Sequence, residues 1–339
     1  MSLKTKLASI AAALMCSASF AQAEAEHTLV VSSWVPPTHI INSEILTGLQ
    51  AMVEEATDGR VTTEVRMGLA PPPAQMDLVL DGAVDIAYVF HGYQPGRFTG
   101  YKLVELPRVE ASAADLSAAY WDLHQSHLAK LNEHRGVEVV GLMVHGPGQL
   151  HTGSAIEGLD DIAGLKLRMP GGVASDIGGK LQATGIKVPA PKVYETLASK
   201  AADGVMMVTE SRKSFRLTEV APHFYSVPGG FFRGSFAFIM NEDVLADLPE
   251  DLRTALQDKV FGPTLSRKAG EAWDAADVEA IDLTNATNGN TNVLISDADL
   301  GRFDSIAAEV ESAVIEEVSA KGIDATAALK TFRANLAQN

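Results

Sequence analysis

The sequence predicts an α/β protein built as two similar lobes, on three observations. Apolar strand-like runs alternate with helical patterns up to Phe90 and again from Leu165 to Val208, the pattern of a parallel sheet covered by helices. A tight helix-to-strand turn ending in Asp occurs twice, as Asp81-Gly82-Ala83-Val84-Asp85 and Ser199-Lys200-Ala201-Ala202-Asp203. Two breaks, Gly146-Pro147-Gly148 and Val227-Pro228-Gly229-Gly230, separate the units and read as places where the chain crosses between them. A chain of 339 residues is also long enough for two cores.

The first residues form a leader. Lys4 and Lys6 precede the apolar run from Leu7 to Met15, and Ala21-Gln22-Ala23 supplies a small-residue cleavage site, so residues 1–23 read as a secretory signal peptide. The run is shorter than the ~20 residues a spanning helix needs, and no other run is longer, so the mature protein is expected to be soluble rather than membrane-spanning. Cys16, the single cysteine, lies in the leader, leaving the mature chain without disulfides, a thiol nucleophile or a cysteine metal site. Removing Lys4 and Lys6, and no acid, takes the net charge from −16 to −18. Such a chain repels nucleic acid and anionic membranes. An anionic ligand would need a positive charge of its own inside the pocket.

Taken in order, residues 28–33 read as a strand, stopped by Trp34 and Pro36-Pro37. Ile41, Ile45, Leu49, Met52 and Val53 recur at helical spacing, and Val61, Thr63, Val65 and Met67 alternate as a strand. A helix over 74–80 leads to a third strand over 86–90. The loop after it, Phe90-His91-Gly92-Tyr93-Gln94-Pro95-Gly96-Arg97, sits at a strand C-terminus, where sites are built. Ser112 is placed to cap a helix over 113–131, followed by a buried-type strand over 137–144. Past the first break come a short helix at 160–162, a strand over 165–168, a helix over 173–183, a strand over 186–188, a helix over 193–200 and a strand over 205–208. Past the second break come a strand over 235–240 and helices beginning near 249, over 265–283, 300–320 and 325–337, with a strand-like piece at 292–295.

Leu165-Lys166-Leu167-Arg168-Met169-Pro170 is the most informative stretch. Its period-2 pattern and closing proline put Arg168 at the C-terminal end of a short strand, the edge where open α/β sheets bind ligands. From the residues alone, Arg168 is either an anchor for a ligand's acid group or a surface arginine in a weak ion pair. Catalytic signatures are missing: there is no zinc-protease, P-loop or nucleophile-elbow pattern. His124-x-x-His127 has no evident third ligand, Asp160-Asp161 and Glu316-Glu317 point apart on their helices, and the glycines form no dinucleotide fingerprint. No catalytic residue, metal or cofactor is expected.

Gly164-Leu165-Lys166-Leu167-Arg168-Met169-Pro170, Val193-Tyr194-Glu195-Thr196-Leu197, Ala202-Asp203-Gly204 and Ser235-Phe236-Ala237-Phe238-Ile239-Met240-Asn241, in this order and spacing, resemble the substrate-binding proteins of TRAP transporters. The resemblance covers nearly the whole mature chain. It implies a periplasmic-binding-protein-like fold with a ligand cleft between lobes joined by crossing hinge segments. Lobe I would span 24–147 plus about 234–277, and lobe II 148–233 plus about 278–339. It implies a periplasmic receptor for a small organic acid, with small and large membrane subunits as partners and an ion gradient as driving force. It also implies that Arg168 pairs with the ligand carboxylate, as a planar guanidinium fork suits.

The chain departs from the family pattern in two places. Many members carry a second arginine where this chain has Gly148, beside Gln149 and His151. The run Met207-Val208-Thr209-Glu210 keeps the glutamate of one subgroup but lacks its tryptophan. One arginine fewer, with Glu210 retained, favours a monoacid carrying a hydroxyl, amine or cationic group over a plain dicarboxylate. Trp34, Phe90, Tyr93 and Phe232 are candidates for aromatic walls, Trp34 for facing a cation. His91 and Gln149 are candidate polar contacts, and Arg212 and Arg233 candidate second charges. Two alternatives stand beside this reading: the receptor of an ATP-driven importer, and an extracytoplasmic enzyme on organic acids using His91, His151 or Glu210 as a base.

Overall fold

The computed structural model describes residues 25–337, so the leader expected at 1–23 lies outside the described residues. Its strands, in chain order, are β1 (His27–Ser33), β2 (Val61–Met67), β3 (Ile86–Phe90), β4 (Glu138–Val144), β5 (Gly148–Thr152) and β6 (Lys166–Arg168). They continue with β7 (Thr184–Ile186), β8 (Gly204–Val208), β9 (His223–Ser226), β10 (Ser235–Met240) and β11 (Thr291–Leu294). Two sheets result, ordered β2-β1-β3-β10-β4 and β11-β9-β5-β8-β6-β7.

The sheets are mixed, where the alternating pattern predicts parallel ones. In each sheet the exception is the strand that arrives from the other lobe. β10 comes from the second unit and runs antiparallel between β3 and β4. β5 comes from the first and runs antiparallel between β8 and β9. The repeated Asp turn does the same work in both units. Asp85 pairs with Val30 through its backbone N–H (3.0 Å) and accepts the Val30 N–H on its carboxylate (2.6 Å). Asp203 pairs with Lys166 in the same way, at 2.8 Å for both bonds. Each aspartate thus satisfies the backbone of the neighbouring strand where the ladder begins.

Two strands were not legible in the hydrophobic pattern. β5 carries Gln149 and His151 on a strand buried throughout. Both are satisfied internally: Gln149 exchanges hydrogen bonds with the Val227 backbone (2.9 and 3.0 Å) and the His151 ring pairs with the Met207 carbonyl (3.1 Å). β9 is half-polar and short. Ser112 does cap its helix, accepting the Asp115 N–H at 3.0 Å. That helix ends at Ser126 rather than 131, because the backbone leaves the helical region at His127 (φ −130°) and continues as a separate turn, Leu128–Leu131.

The chain passes between the sheets three times: at 145–147, at 227–234, and along the helix Pro263–Ala286, which packs on Ala113–Ser126 and β4 and then on Ser211–Ser214 and β11. The crossings lie against one another. The first two pair through His145 N–H to Gly234 O (3.1 Å) and Gly148 N–H to Phe232 O (2.9 Å). A Cβ at Gly146 would stand 1.6 Å from the Asp277 carboxylate of the crossing helix, so only glycine admits that approach. The last helix, Ala325–Leu336, packs against Ala113–Ser126 of the first unit, whereas the sequence places 278–339 with the second.

Arg212 fastens the far end of the crossing helix. Fully buried, its guanidinium donates to Thr284, to Asn290 and to the carbonyls of Ala221 (3.2 Å) and Pro222 (3.3 Å). It lies over the Phe224 ring at 5.2 Å. Arg212→Met should therefore lower stability by about 2–4 kcal/mol by orphaning these acceptors. Urea unfolding midpoints read this directly, and a midpoint equal to that of the wild type would remove Arg212 from this role.

Candidate functional site

A pocket of about 430 Å³, open solvent included, lies between the two sheets, and its wall draws on both lobes and on the crossings. The first lobe supplies Trp34 after β1, His39 and Ile41 beyond it, Phe90 and Tyr93 at the end of β3, and Phe236 on β10. The second supplies Arg168 and Pro170 after β6, Ala190, Met207 and Val208 of β8, Ser211 and Phe215. The crossings supply His145 and Trp273. Several of these residues sit at strand C-termini, where side chains are free of ladder neighbours and converge.

Arg168 is 1% exposed. Its Nε donates to the Val188 carbonyl (2.9 Å) and one Nη to the Tyr93 hydroxyl (2.9 Å). The Ala190 N–H donates to that same hydroxyl oxygen (2.8 Å), which leaves the Tyr93 proton available to donate. Among the described residues, no Asp or Glu lies within ion-pair reach of Arg168. A buried guanidinium without an anion is expensive, and the side of Arg168 left over faces the cavity.

The rest of the wall is aromatic and continuous. Tyr93 packs on Phe90 (4.8 Å between ring centroids), Phe90 on Phe236 (4.9 Å), Phe236 on Trp273 (6.1 Å, nearly parallel) and Trp273 on His39 (5.8 Å). Trp34 leans on Tyr93 at 5.9 Å and is held by its own indole N–H on the Tyr88 carbonyl (3.4 Å). The lobes touch beside the cavity. Gly171 adopts φ +101°, and a Cβ there would lie 2.1 Å from the Gly92 carbonyl oxygen, so the loops after β6 and β3 meet backbone to backbone. Outside this contact lies a wider cleft lined by His91, Glu105, Asp176 and Lys187, of about 1240 Å³ with open solvent included.

The structure brings Arg168, Trp34, Phe90 and Tyr93 together around the cavity. Glu210 lies just behind its wall. Five other candidates stand elsewhere. His91 is bound into a buried cluster with Ser235 (2.9 Å), His134 (3.0 Å) and a stacked Tyr101, and burial holds its imidazole down at about 3. Gln149 ties β5 to Val227. Arg212 holds the crossing helix. Phe232 packs on His145 at the paired crossings (5.6 Å), and Arg233 donates to the carbonyls of Val109 (2.7 Å), Ala111 (3.1 Å) and His145 (3.4 Å). Gln149, Arg212, Phe232 and Arg233 lie at the crossings, where the first two and Arg233 donate to backbone carbonyls. His39, His145, Phe236 and Trp273 line the cavity without a sequence signal that separates them from ordinary core.

Glu210 is fully buried. Its backbone N–H donates to Asp277 (2.7 Å) and its carboxyl accepts the Ser214 hydroxyl. Burial pushes it up to about 7, against the Ser214 bond and the Lys213 charge, and pushes Asp277 well above the usual carboxylate range. His39 stands 3.8 Å from Glu210, but burial holds its imidazole down at about 3. With both groups driven toward their neutral forms, and at that distance, the contact is polar rather than an ion pair.

Two α/β lobes with a pocket between them define the class of the periplasmic-type solute receptors. The family described as "Bacterial extracellular solute-binding protein, family 7" matches residues 31–317, and the chain belongs to it, among the substrate-binding proteins of TRAP transporters. A TRAP periplasmic solute-binding protein from Bordetella bronchiseptica, with bound (R)- and (S)-mandelate, is 37% identical with a TM-score of 0.88, over 92% of this chain and 99% of that one. One from Rhodoferax ferrireducens, in complex with copurified benzoate, is 29% identical with a TM-score of 0.85, over 92% and 98%. A marine metagenome protein specific for aromatic acid ligands, in complex with metahydroxyphenylacetate, is 27% identical with a TM-score of 0.85, again over 92% and 98%. Among the described residues no helix is long and apolar enough to cross a membrane, and no three His, Cys, Asp or Glu are grouped to hold a metal.

The Glu210 environment predicts a pH dependence. The folded protein keeps this proton up to about 7, while an exposed glutamate releases it near 4.5. Between those values the folded state binds more protons, so this residue's contribution falls as pH rises. Glu210→Gln, which mimics the protonated form, should gain stability relative to the wild type as pH rises from 5 to 8. A difference in urea midpoint that stays constant over that range would contradict it.

Proposed function

We propose that this protein is a periplasmic receptor for a small aromatic monocarboxylate, which it holds by the carboxylate on Arg168 and delivers to the small and large membrane subunits of a TRAP transporter. The observation that carries the reading is the buried Arg168, without an acidic partner, at one end of a cavity walled by aromatic rings. A carboxylate there supplies the missing anion. It receives the free face of the guanidinium and the Tyr93 proton, charge-assisted bonds worth about 1.5–3 kcal/mol each. The rings of Phe90, Phe236 and Trp273 offer flat apolar surface to an aromatic body. The relatives that hold mandelate, benzoate and metahydroxyphenylacetate support the same ligand class.

A second carboxylate is poorly served. Arg212 and Arg233 are engaged by the backbone of the crossings, and the acids nearest the far wall are Glu210 and Asp277. Closure follows from the same contacts. Trp34 and Tyr93 come from one lobe and Arg168 from the other, so a ligand bridging them favours the closed arrangement. The crossings at 145–147 and 227–234 are the hinge.

Thermal unfolding with benzoate, mandelate, phenylacetate and succinate tests this reading. An aromatic acid at 100 times its Kd should stabilise the protein by about 2.7 kcal/mol and raise Tm by several degrees, succinate should not, and Arg168→Ala should abolish the shift. A shift that persists in Arg168→Ala, or one given by succinate alone, would overturn the assignment.

A further inference from the structure

Besides Arg168, the pocket carries a second polar group of atoms. The ring chain Tyr93–Phe90–Phe236–Trp273–His39 leads from the arginine's hydroxyl partner to His39. Around His39, the residues Trp273 and Glu210, with Ser211 next to Glu210 in the chain, hold Trp273 Nε1, Glu210 Oε2 and Ser211 Oγ, each buried and without a hydrogen-bond partner among the described residues. Trp273 and Ser211 form part of the cavity wall. Glu210 lies one layer behind, 3.8 Å from His39. Buried polar atoms are nearly always paired, and each orphan costs about 1–3 kcal/mol. Three on neighbouring residues beside a pocket are a site that something polar completes.

Their chemistry selects what that is. The Ile41 N–H donates to His39 Nδ1 at 3.1 Å. In the neutral ring the proton is therefore on Nε2, the nitrogen turned toward Glu210. The group thus presents two N–H donors, His39 Nε2 and Trp273 Nε1, an acceptor in Glu210, and a Ser211 hydroxyl that does either. A second carboxylate can accept from the N–H groups but has nothing to donate to the Glu210 oxygen. An ammonium has no lone pair for the two N–H groups. A methyl leaves all of them unpaired. A hydroxyl both accepts and donates, and satisfies the set.

We propose that His39, Ser211, Glu210 and Trp273 form a hydroxyl-recognition subsite, and that the protein selects aromatic monocarboxylates carrying a hydroxyl group over their unsubstituted parents. The selection rests on the acid-end reading given above and extends it to the other end of the same ligand. Sites that hydrogen-bond a substrate hydroxyl reject the analogue lacking it more strongly than apolar pockets separate neighbours in size.

Titration calorimetry on the full mature protein, with the pairs benzoate and 3-hydroxybenzoate, benzoate and 4-hydroxybenzoate, and phenylacetate and mandelate, tests the subsite. At least one hydroxylated acid should bind about 10-fold or more tighter than its parent. That ratio should fall toward one in Trp273→Phe and in Ser211→Ala. Circular dichroism checks that both variants fold, and the wild-type pairs decide even if neither does. Equal affinities within every pair, with the acids still bound and still lost in Arg168→Ala, would overturn the hydroxyl subsite and leave the acid end standing. A ratio unchanged in both folded variants would overturn it as well. No binding by any member of the panel would overturn both readings.

Discussion

The rest of the site depends on a guanidinium taken out of water with no acid beside it. Arg168 is held by one carbonyl and one phenol, enough to aim it but not to neutralise it. The protein tolerates this because the charge stands at the end of a strand, against a cavity that an anion can enter. An acidic surface with net charge −16 does not oppose this, since bulk charge is screened within about 8 Å at physiological salt and the local field in the cavity is that of Arg168. On the proposed reading, a single buried charge matches one carboxylate, with aromatic surface for the remainder of the ligand.

Placing that charge between two lobes requires the chain to cross between the sheets, and the crossings explain the other buried cations. Arg212, Arg233, Gln149 and Phe232 look like binding residues because they are polar or aromatic and lie near the breaks. In the structure Gln149, Arg212 and Arg233 donate to backbone carbonyls near the places where strands change sheets, and Phe232 packs on His145 there. Glycines at 146, 148 and 234 let the three crossings pack against one another, and each sheet receives an antiparallel strand from the other unit. The crossing segments are therefore tightly hydrogen-bonded, and the pocket is bounded on one side by them through His145 and Trp273.

Much of this was legible in the sequence. The doubled Asp turn predicted two similar units, and the structure shows each aspartate holding the same backbone position on a neighbouring strand. The Leu165–Pro170 pattern placed Arg168 at a strand end, and the loop after β3 placed Phe90 and Tyr93. Illegible were the features that depend on distant segments meeting. β5 was hidden because Gln149 and His151 interrupt its apolar pattern, although tertiary hydrogen bonds satisfy both. His39 and Trp273 carry no local sequence signal, because His39 meets Glu210 and Trp273 only across distant stretches of the chain. Arg212 and Arg233 are the converse case: nothing in local sequence shows that their guanidinium groups meet backbone carbonyls.

The electron density of the protein with its copurified ligand tests the central claim most directly. The account predicts a planar acid in the inner cavity, its carboxylate within hydrogen-bond distance of Arg168 and Tyr93 and its ring against Phe90 and Phe236. A ligand seated in the outer cleft beside Lys187, or one turned with its carboxylate toward Glu210 and away from Arg168, would contradict it.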